Sequence, residues 1–474
     1  MGATIAPAMR GPRPATTNPT RKRDLLLRDG LLVMPGFGTV RGSVGVHDGR
    51  IAALLAPGED LPAGDAVDCG GRWIMPGIID PHVHFGFGSP ETDFLTESRS
   101  AALGGVTSAL SFYRTADFRT AFDAYRERAA AQSCIDFGLH FGITSHLHVE
   151  TLAECSRRFG VTSYKLYLMY KGAAGLAQGF TEIDDALLYA ACRATAAIPG
   201  AVLGVHCENV EVIPYLREPL RAAGRDDLKA WNEQSPDFLE AENVHRACYF
   251  AGKVGCPISI VHLSSKEALD EVRRHRRRTR TPIYVETCPH YLFLDDESSA
   301  GVLAKVNPPI RGRADVDAMW EGIADGSIDT VGTDHVPRKR ATKEGKGIWG
   351  SSNGFPGVAT MLPILMDEGA RRRGIAPERL AAVLCGNAAR IYRMAGKGAL
   401  AVGYDADIVI VDPDLTRTVD PAALESFADY SPYEGTALSG WPVATYVRGR
   451  RTMAGGAVEP SVRERPGGRY LFRT

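Results

Sequence analysis

Between Ile78 and His335 the chain alternates short apolar runs with longer stretches whose apolar residues recur at helical spacing. That is the pattern of repeated βα units feeding a parallel sheet. Eight runs read as strands: Ile78–Phe85, Val106–Tyr113, Asp136–Thr144, Val161–Leu168, Ala201–Glu208, Pro257–Ser264, Pro282–His290 and Asp329–His335. Helical spacers fit between them at Phe118–Gln132, Asp184–Ala197, Glu240–Val254 and Lys266–Arg277, the last with charges on its outer face. Eight such units predict an α/β fold, a closed (β/α)₈ TIM-type barrel.

The flanks follow a different rhythm. From Asp24 to about Trp73 the runs are short and β-rich, Leu25–Leu27, Leu31–Met34 and Ser43–His47, with turns at Asp29-Gly30 and Asp48-Gly49. Gly398–Pro413 and Trp441–Gly456 repeat this style, with Ala406–Val411 and Val443–Val447 as strands. The expectation is a small discontinuous β-sandwich built from 24–72 and 396–456, a barrel over 73–395, and a C-terminal tail over 457–474. Residues 1–23 lack acids and are rich in Pro, Ala, Thr and Arg, which predicts a disordered tail. Gly11, Pro12, Pro14 and Pro19 would interrupt the amphipathic helix of an organellar presequence.

Composition narrows the partners. With 474 residues the chain can bury a large core, and 55 Lys and Arg against 56 Asp and Glu leave a net charge of -1. Neither nucleic acid nor an anionic membrane has an electrostatic reason to bind, so a small molecule is the expected partner. No apolar run approaches the roughly 18 residues of a membrane span. Nine cysteines without a C-x-x-C pair fit reduced thiols in a cytoplasm.

A barrel places its chemistry at the C-terminal ends of its strands. His82 and His84 alternate along strand one, so their imidazoles can converge, although a His-x-His pair alone reads equally well as core histidines. The other strands contribute Lys165 in strand four, His206 and Glu208 at the end of five, His262 of six, Glu286 to His290 of seven and Asp334 of eight. Four imidazoles and one carboxylate suit two zinc-like ions. Lys165 requires its own account, because a lone buried ammonium beside two cations is strongly disfavoured. Carbamylation by CO₂ would convert it to an anion whose oxygens can bridge the ions. A neutral Lys165, or one paired with Asp334, is the alternative.

Several segments together carry a resemblance: Pro76-Gly77-Ile78-Ile79-Asp80-Pro81-His82-Val83-His84, Ser163-Tyr164-Lys165, His206-Cys207-Glu208-Asn209, Val261-His262-Leu263-Ser264-Ser265, Glu286-Thr287-Cys288-Pro289, Asn307-Pro308-Pro309-Ile310-Arg311 and Thr333-Asp334-His335-Val336-Pro337. Their order and spacing are similar to those of the cyclic amidohydrolases of the amidohydrolase superfamily, which include hydantoinases, dihydropyrimidinases, allantoinases and dihydroorotases. The resemblance implies that His82, His84 and Asp334 hold one divalent ion, zinc by preference, and that His206 and His262 hold a second. Carboxylated Lys165 and a hydroxide would bridge them. It further implies Asp334 as proton carrier, Tyr170 as donor to the developing oxyanion, and Asn307 and Asn353 as holders of the ring imide. Tyr167 is a rival to Tyr170 by composition. A homodimer or homotetramer is the assembly implied.

Relatives that act on dihydroorotate carry an arginine two residues beyond the second histidine, where this chain has Gly86. The expectation is therefore a hydantoin or dihydropyrimidine ring without an acid group, with dihydroorotase-like or allantoinase-like ring opening as alternatives and a non-catalytic scaffold as the remote one. Arg114, at the end of strand two, could still serve an acidic substrate from another wall. Phe85-Gly86-Phe87-Gly88, Ala359 and His290 also depart from the common pattern. His146 and His148 are expected as loop or helix-terminal residues, Cys207 and Cys288 as packing, and Arg273–Arg278 as a solvated helix end.

Overall fold

The computed structural model describes residues 23–171, 175–176, 179–181 and 183–474. The segment 1–22 lies outside the described residues, and Arg23, expected within the tail, opens the first strand. The N-terminal part supplies β1 (Arg23–Met34), β2 (Gly38–His47), β3 (Arg50–Leu55), β4 (Ala63–Asp68) and β5 (Trp73–Pro76). The barrel follows with β6 (Ile78–Val83), β7 (Val106–Tyr113), β8 (Asp136–Ile143), β9 (Ser163–Tyr167), β10 (Val202–His206), β11 (Ile258–Ile260), β12 (Ile283–Thr287) and β13 (Thr330–Val331). The chain then returns to the first sheet as β14 (Ile408–Thr418), β15 (Ala437–Val447), β16 (Arg450–Ala454) and β17 (Ala457–Val458).

β6 to β13 are hydrogen-bonded in sequence order and all parallel. The ring closes where Val83 bridges His335 and the His84 amide donates to the His335 carbonyl at 2.9 Å. Several strands end earlier than the apolar runs suggest. β11 and β13 stop short because His262 and Asp334 take left-handed backbone angles, φ 41° and 49°, which leave the ladder. The helix Phe118–Gln132 falls where its periodicity predicts, and Asp117 caps it by accepting from the Arg119 amide.

The other nine strands form a separate sheet from the two ends of the chain, joined where β14 pairs antiparallel with β5 across more than three hundred residues. Trp73–Pro76, expected to begin the barrel, belongs to this sheet. Strand alternation gives each face its own core. Leu32, Ile74, Ile408 and Ile410 pack into a small outer core. Their neighbours Val33, Met75, Val409 and Val411 join the barrel core. Sheet and barrel are also fastened by Lys397, whose ammonium lies 2.6 Å from both Asp136 and Asp407 and 3.0 Å from Asp405.

Residues 457–474, expected as a tail, are packed. After β17, Phe137 donates to the Arg469 carbonyl at 2.9 Å and Leu471 donates back to Phe137 at 2.7 Å. Arg473 is buried, with its guanidinium donating to Ser163 Oγ. The segment thereby covers backbone at the starts of β8 and β9. No helix of the described residues is long and apolar enough to cross a membrane.

Candidate metal centre

The C-terminal rim of the barrel gathers the predicted donors. His82 Nε2 and His84 Nε2 lie 3.1 and 3.0 Å from Asp334 Oδ1. His206 Nδ1 lies 2.9 Å from His262 Nε2. Between these groups sits Lys165 Nζ, 3.0 Å from His82 Nε2 and 3.4 Å from His262 Nε2. All six side chains are buried or nearly so. The floor is Phe112, whose ring stacks on His84 and lies 4.4 Å beneath the Lys165 amine.

Burial sets the protonation states. It lowers His84 to about 3 despite its hydrogen bond to Asp334, and it depresses His206 and His262 as well. Neutral imidazoles are the ligating form. Burial and Lys165 also work to lower His82, but Glu286 and Asp334 outweigh them and raise it. Asp334 is held well below the carboxylate range, because His82 and His84 overcome its burial. Burial brings Lys165 down to about 8, partly offset by Asp334. Four imidazoles facing one amine and one carboxylate at these separations are a donor set that fits divalent cations.

A second layer of carboxylates orients the first. Glu286 Oε1 lies 2.5 Å from His82 Nδ1 and also accepts from the His262 amide at 3.2 Å. Glu208 Oε2 lies 3.3 Å from His206 Nε2, and its other oxygen accepts from Ser235. Asp80 accepts from the His82 amide, the Thr333 amide and the Thr333 hydroxyl, tying β6 to β13. Such partners fix ring orientation and basicity. Gly332 makes the close packing feasible, since a Cβ there would lie 2.8 Å from His82 Cβ and 3.0 Å from the Glu286 carboxylate.

The same rim encloses a cavity of about 290 Å³, to which Tyr167, Tyr170, Asn307 and Asn353 also contribute. Tyr170 stacks on Phe180, and the hydroxyl of its rival Tyr167 is buried without a hydrogen-bond partner among the described residues. Two buried lysines that sequence reasoning passed over pin the segments bearing the asparagines. Lys305 donates to the Ser351 carbonyl at 2.7 Å, and Lys343 donates to the Lys305 carbonyl at 2.8 Å. His148 lies away from the centre, accepting from the Thr144 amide at the start of the helix His146–Phe159. Cys207 and Cys288 are buried thiols whose pKa burial drives far upward, which leaves them inert.

Known proteins agree with this architecture. Residues 73–452 match the Amidohydrolase family. An allantoinase of Rubrobacter xylanophilus is 34% identical over 458 residues, covering 94% of this chain and 97% of that protein. A dihydroorotase of Halobacterium salinarum is 35% identical over 428 residues, covering 87% and 95%. The solved L-hydantoinase (dihydropyrimidinase) of Arthrobacter aurescens superposes with a TM-score of 0.88 at 29% identity, covering 95% of this chain and all of that one. The chain belongs to the amidohydrolase family, within its cyclic amidohydrolase branch.

Proposed function

We propose that the protein opens a hydantoin- or dihydropyrimidine-type ring by hydrolysing one amide bond, with two divalent ions, zinc by donor chemistry. His82, His84 and Asp334 would hold one, His206 and His262 the other, and carboxylated Lys165 would lie between them. When bound, such ions lower the pKa of water and polarise a carbonyl. The observation that carries the reading is the convergence of six donors from five different strands on one point. A scaffold that had abandoned chemistry would have no use for that set.

Each residue has a task its surroundings support. With burial bringing Lys165 to about 8, a share of free amine exists near neutral pH. That amine can attack CO₂ and lose a proton, giving a carbamate anion. Asp334 stays ionised and can take the proton of the attacking water, then give it to the departing ring nitrogen. The water oxygen first bonds to the carbonyl carbon, and the C–N bond breaks as the resulting oxyanion collapses and the nitrogen takes the proton, leaving an open-chain carboxylate. Tyr170 is in reach of the cavity to donate to the carbonyl oxygen as charge builds on it, and Asn307 and Asn353 to hold the imide. Nine free, buried cysteines suit a reducing cytoplasm. A homodimer or homotetramer is the assembly the resemblance implies.

The test is hydrolysis of hydantoin, dihydrouracil, allantoin and dihydroorotate by metal-replete protein. Opening of at least one hydantoin or dihydropyrimidine ring is expected. Turnover of allantoin alone would favour the allantoinase-like alternative, turnover of dihydroorotate alone the dihydroorotase-like one, and turnover of none would overturn the reading.

A further inference from the structure

Two arginines wall the cavity of the metal centre, and among the described residues neither side chain has an acidic or hydrogen-bonding partner. Arg114, just beyond the C-terminal end of β7, packs its guanidinium against rings: its guanidinium carbon lies 4.6 Å from the centre of Phe87, 5.2 Å from Phe180 and 5.8 Å from Tyr167. Arg338, four residues beyond Asp334, lines the same cavity, and its Nε is buried without a partner. Elsewhere the chain seldom leaves a half-buried arginine in this state. Arg273 and Arg276, for example, are bound to Asp325 and Asp329. Two cations without a partner among the described residues, beside an apolar wall, are costly unless an anion joins them.

Both arginines line the same cavity as Tyr170. They therefore share a cavity with the residue proposed to face the reacting carbonyl. The existing carboxylates of the cavity region are committed, Asp334 to His82 and His84, and Glu208 to His206 and Ser235. Space for a substituent exists beside Arg114, because Phe87 and Arg114 also line an adjoining cavity of about 770 Å³.

Resting on the ring-opening reading above, we infer that the substrate is a cyclic ureide bearing a carboxylate, and that Arg114 and Arg338 are the residues that bind this carboxylate. The expectation of a neutral ring rested on Gly86 alone. The structure offers two cations from other walls, and a planar guanidinium is suited to grip a carboxylate through paired hydrogen bonds. The carboxylate can be attached directly to the ring or through one methylene, and the chemistry of recognition is the same.

The experiment compares matched acids and amides on the metal-replete enzyme: dihydroorotate against dihydroorotamide, and hydantoin-5-acetate against hydantoin-5-acetamide. At least one acid is expected to exceed its amide in kcat/KM by about 100-fold, and Arg114→Gln and Arg338→Gln each to reduce that ratio by about 10- to 100-fold, as for loss of a charged hydrogen-bond pair. The faster acid fixes the length of the arm. Amides hydrolysed as well as acids would overturn the inference while leaving ring opening intact. An acid preference that survives in both variants would overturn the assignment to these arginines. No hydrolysis of any of the four, nor of the neutral rings, would remove the ring-opening reading and the inference together.

Discussion

Glu286 Oε1 stands 2.5 Å from His82 Nδ1, deep in the barrel where both side chains are fully buried. The contact fixes which ring nitrogen of His82 faces Lys165 and Asp334, and the same oxygen accepts from the His262 amide. One carboxylate thus steadies a donor on each side of the centre. Glu286→Gln is expected to weaken metal binding by about 10- to 100-fold, the usual effect of losing such a partner. Equilibrium dialysis against zinc would measure it, and an unchanged affinity would show that His82 is oriented by other means.

Lys165 is the only amine among the six donors, and it lies within 3.4 Å of an imidazole from each half of the set. Lys165→Ala should therefore lower metal content and reduce ring opening by about 10³-fold, equivalent to roughly 4 kcal/mol of barrier. Metal analysis and turnover on the same preparation check both effects. Wild-type activity in this variant would refute the bridging assignment.

Behind Asp334, His335 Nε2 lies 2.9 Å from Glu97, which also accepts from the Ser426 hydroxyl and the Phe427 amide. Burial works to raise Glu97, but the His335 and Ser426 contacts outweigh it and hold the carboxyl below its ordinary value. A depressed carboxyl contributes stability above its unfolded pKa of about 4.3, and that contribution is lost as pH falls through the folded value. Unfolding free energy should decline below about pH 4 to 5, and Glu97→Gln should flatten that decline by up to about 1.4 kcal/mol per pH unit. Denaturant titrations at stepped pH would show it. Superimposable acid limbs would contradict the assignment.

Lys397 joins the barrel to the outer sheet through three carboxylates, at the end of the barrel opposite the metal centre. Burial opposes its charge, yet Asp407, Asp136 and Asp405 raise its pKa. Lys397→Met would strand those carboxylates, and a loss of about 3 to 5 kcal/mol in unfolding free energy is expected. Zinc bound per folded chain should stay unchanged. A variant as stable as the parent would mean that the junction is held by apolar packing alone.

Much of this was readable before any coordinates. Periodicity placed the eight barrel strands, because runs such as Val106–Tyr113 are apolar throughout and turn to helical spacing beyond them. The convergence of the six candidate side chains was readable because strand ends in a barrel meet at one rim. The support layer was not. A carboxylate such as Glu286 or Asp80 within a strand has no local pattern that distinguishes an orienting partner from a donor. Arg469 to Arg473 were equally opaque, since five residues are too few to show a period and their partners Phe137 and Ser163 lie over three hundred residues away. The left-handed turns at His262 and Asp334 shortened β11 and β13 for a reason that only backbone angles reveal. Arg114 was visible as a candidate cation, whereas Arg338 gained meaning only from the cavity it shares with it.

In the proposed mechanism, ring opening depends on ions held by these six side chains. Protein stripped by a chelator should be titrated with zinc while its fastest cyclic ureide is assayed. Negligible hydrolysis is expected at the outset, with activity that rises to a plateau near two ions per chain, in step with the metal bound. Full activity in the stripped protein, or no ring opening at any zinc level, would contradict it.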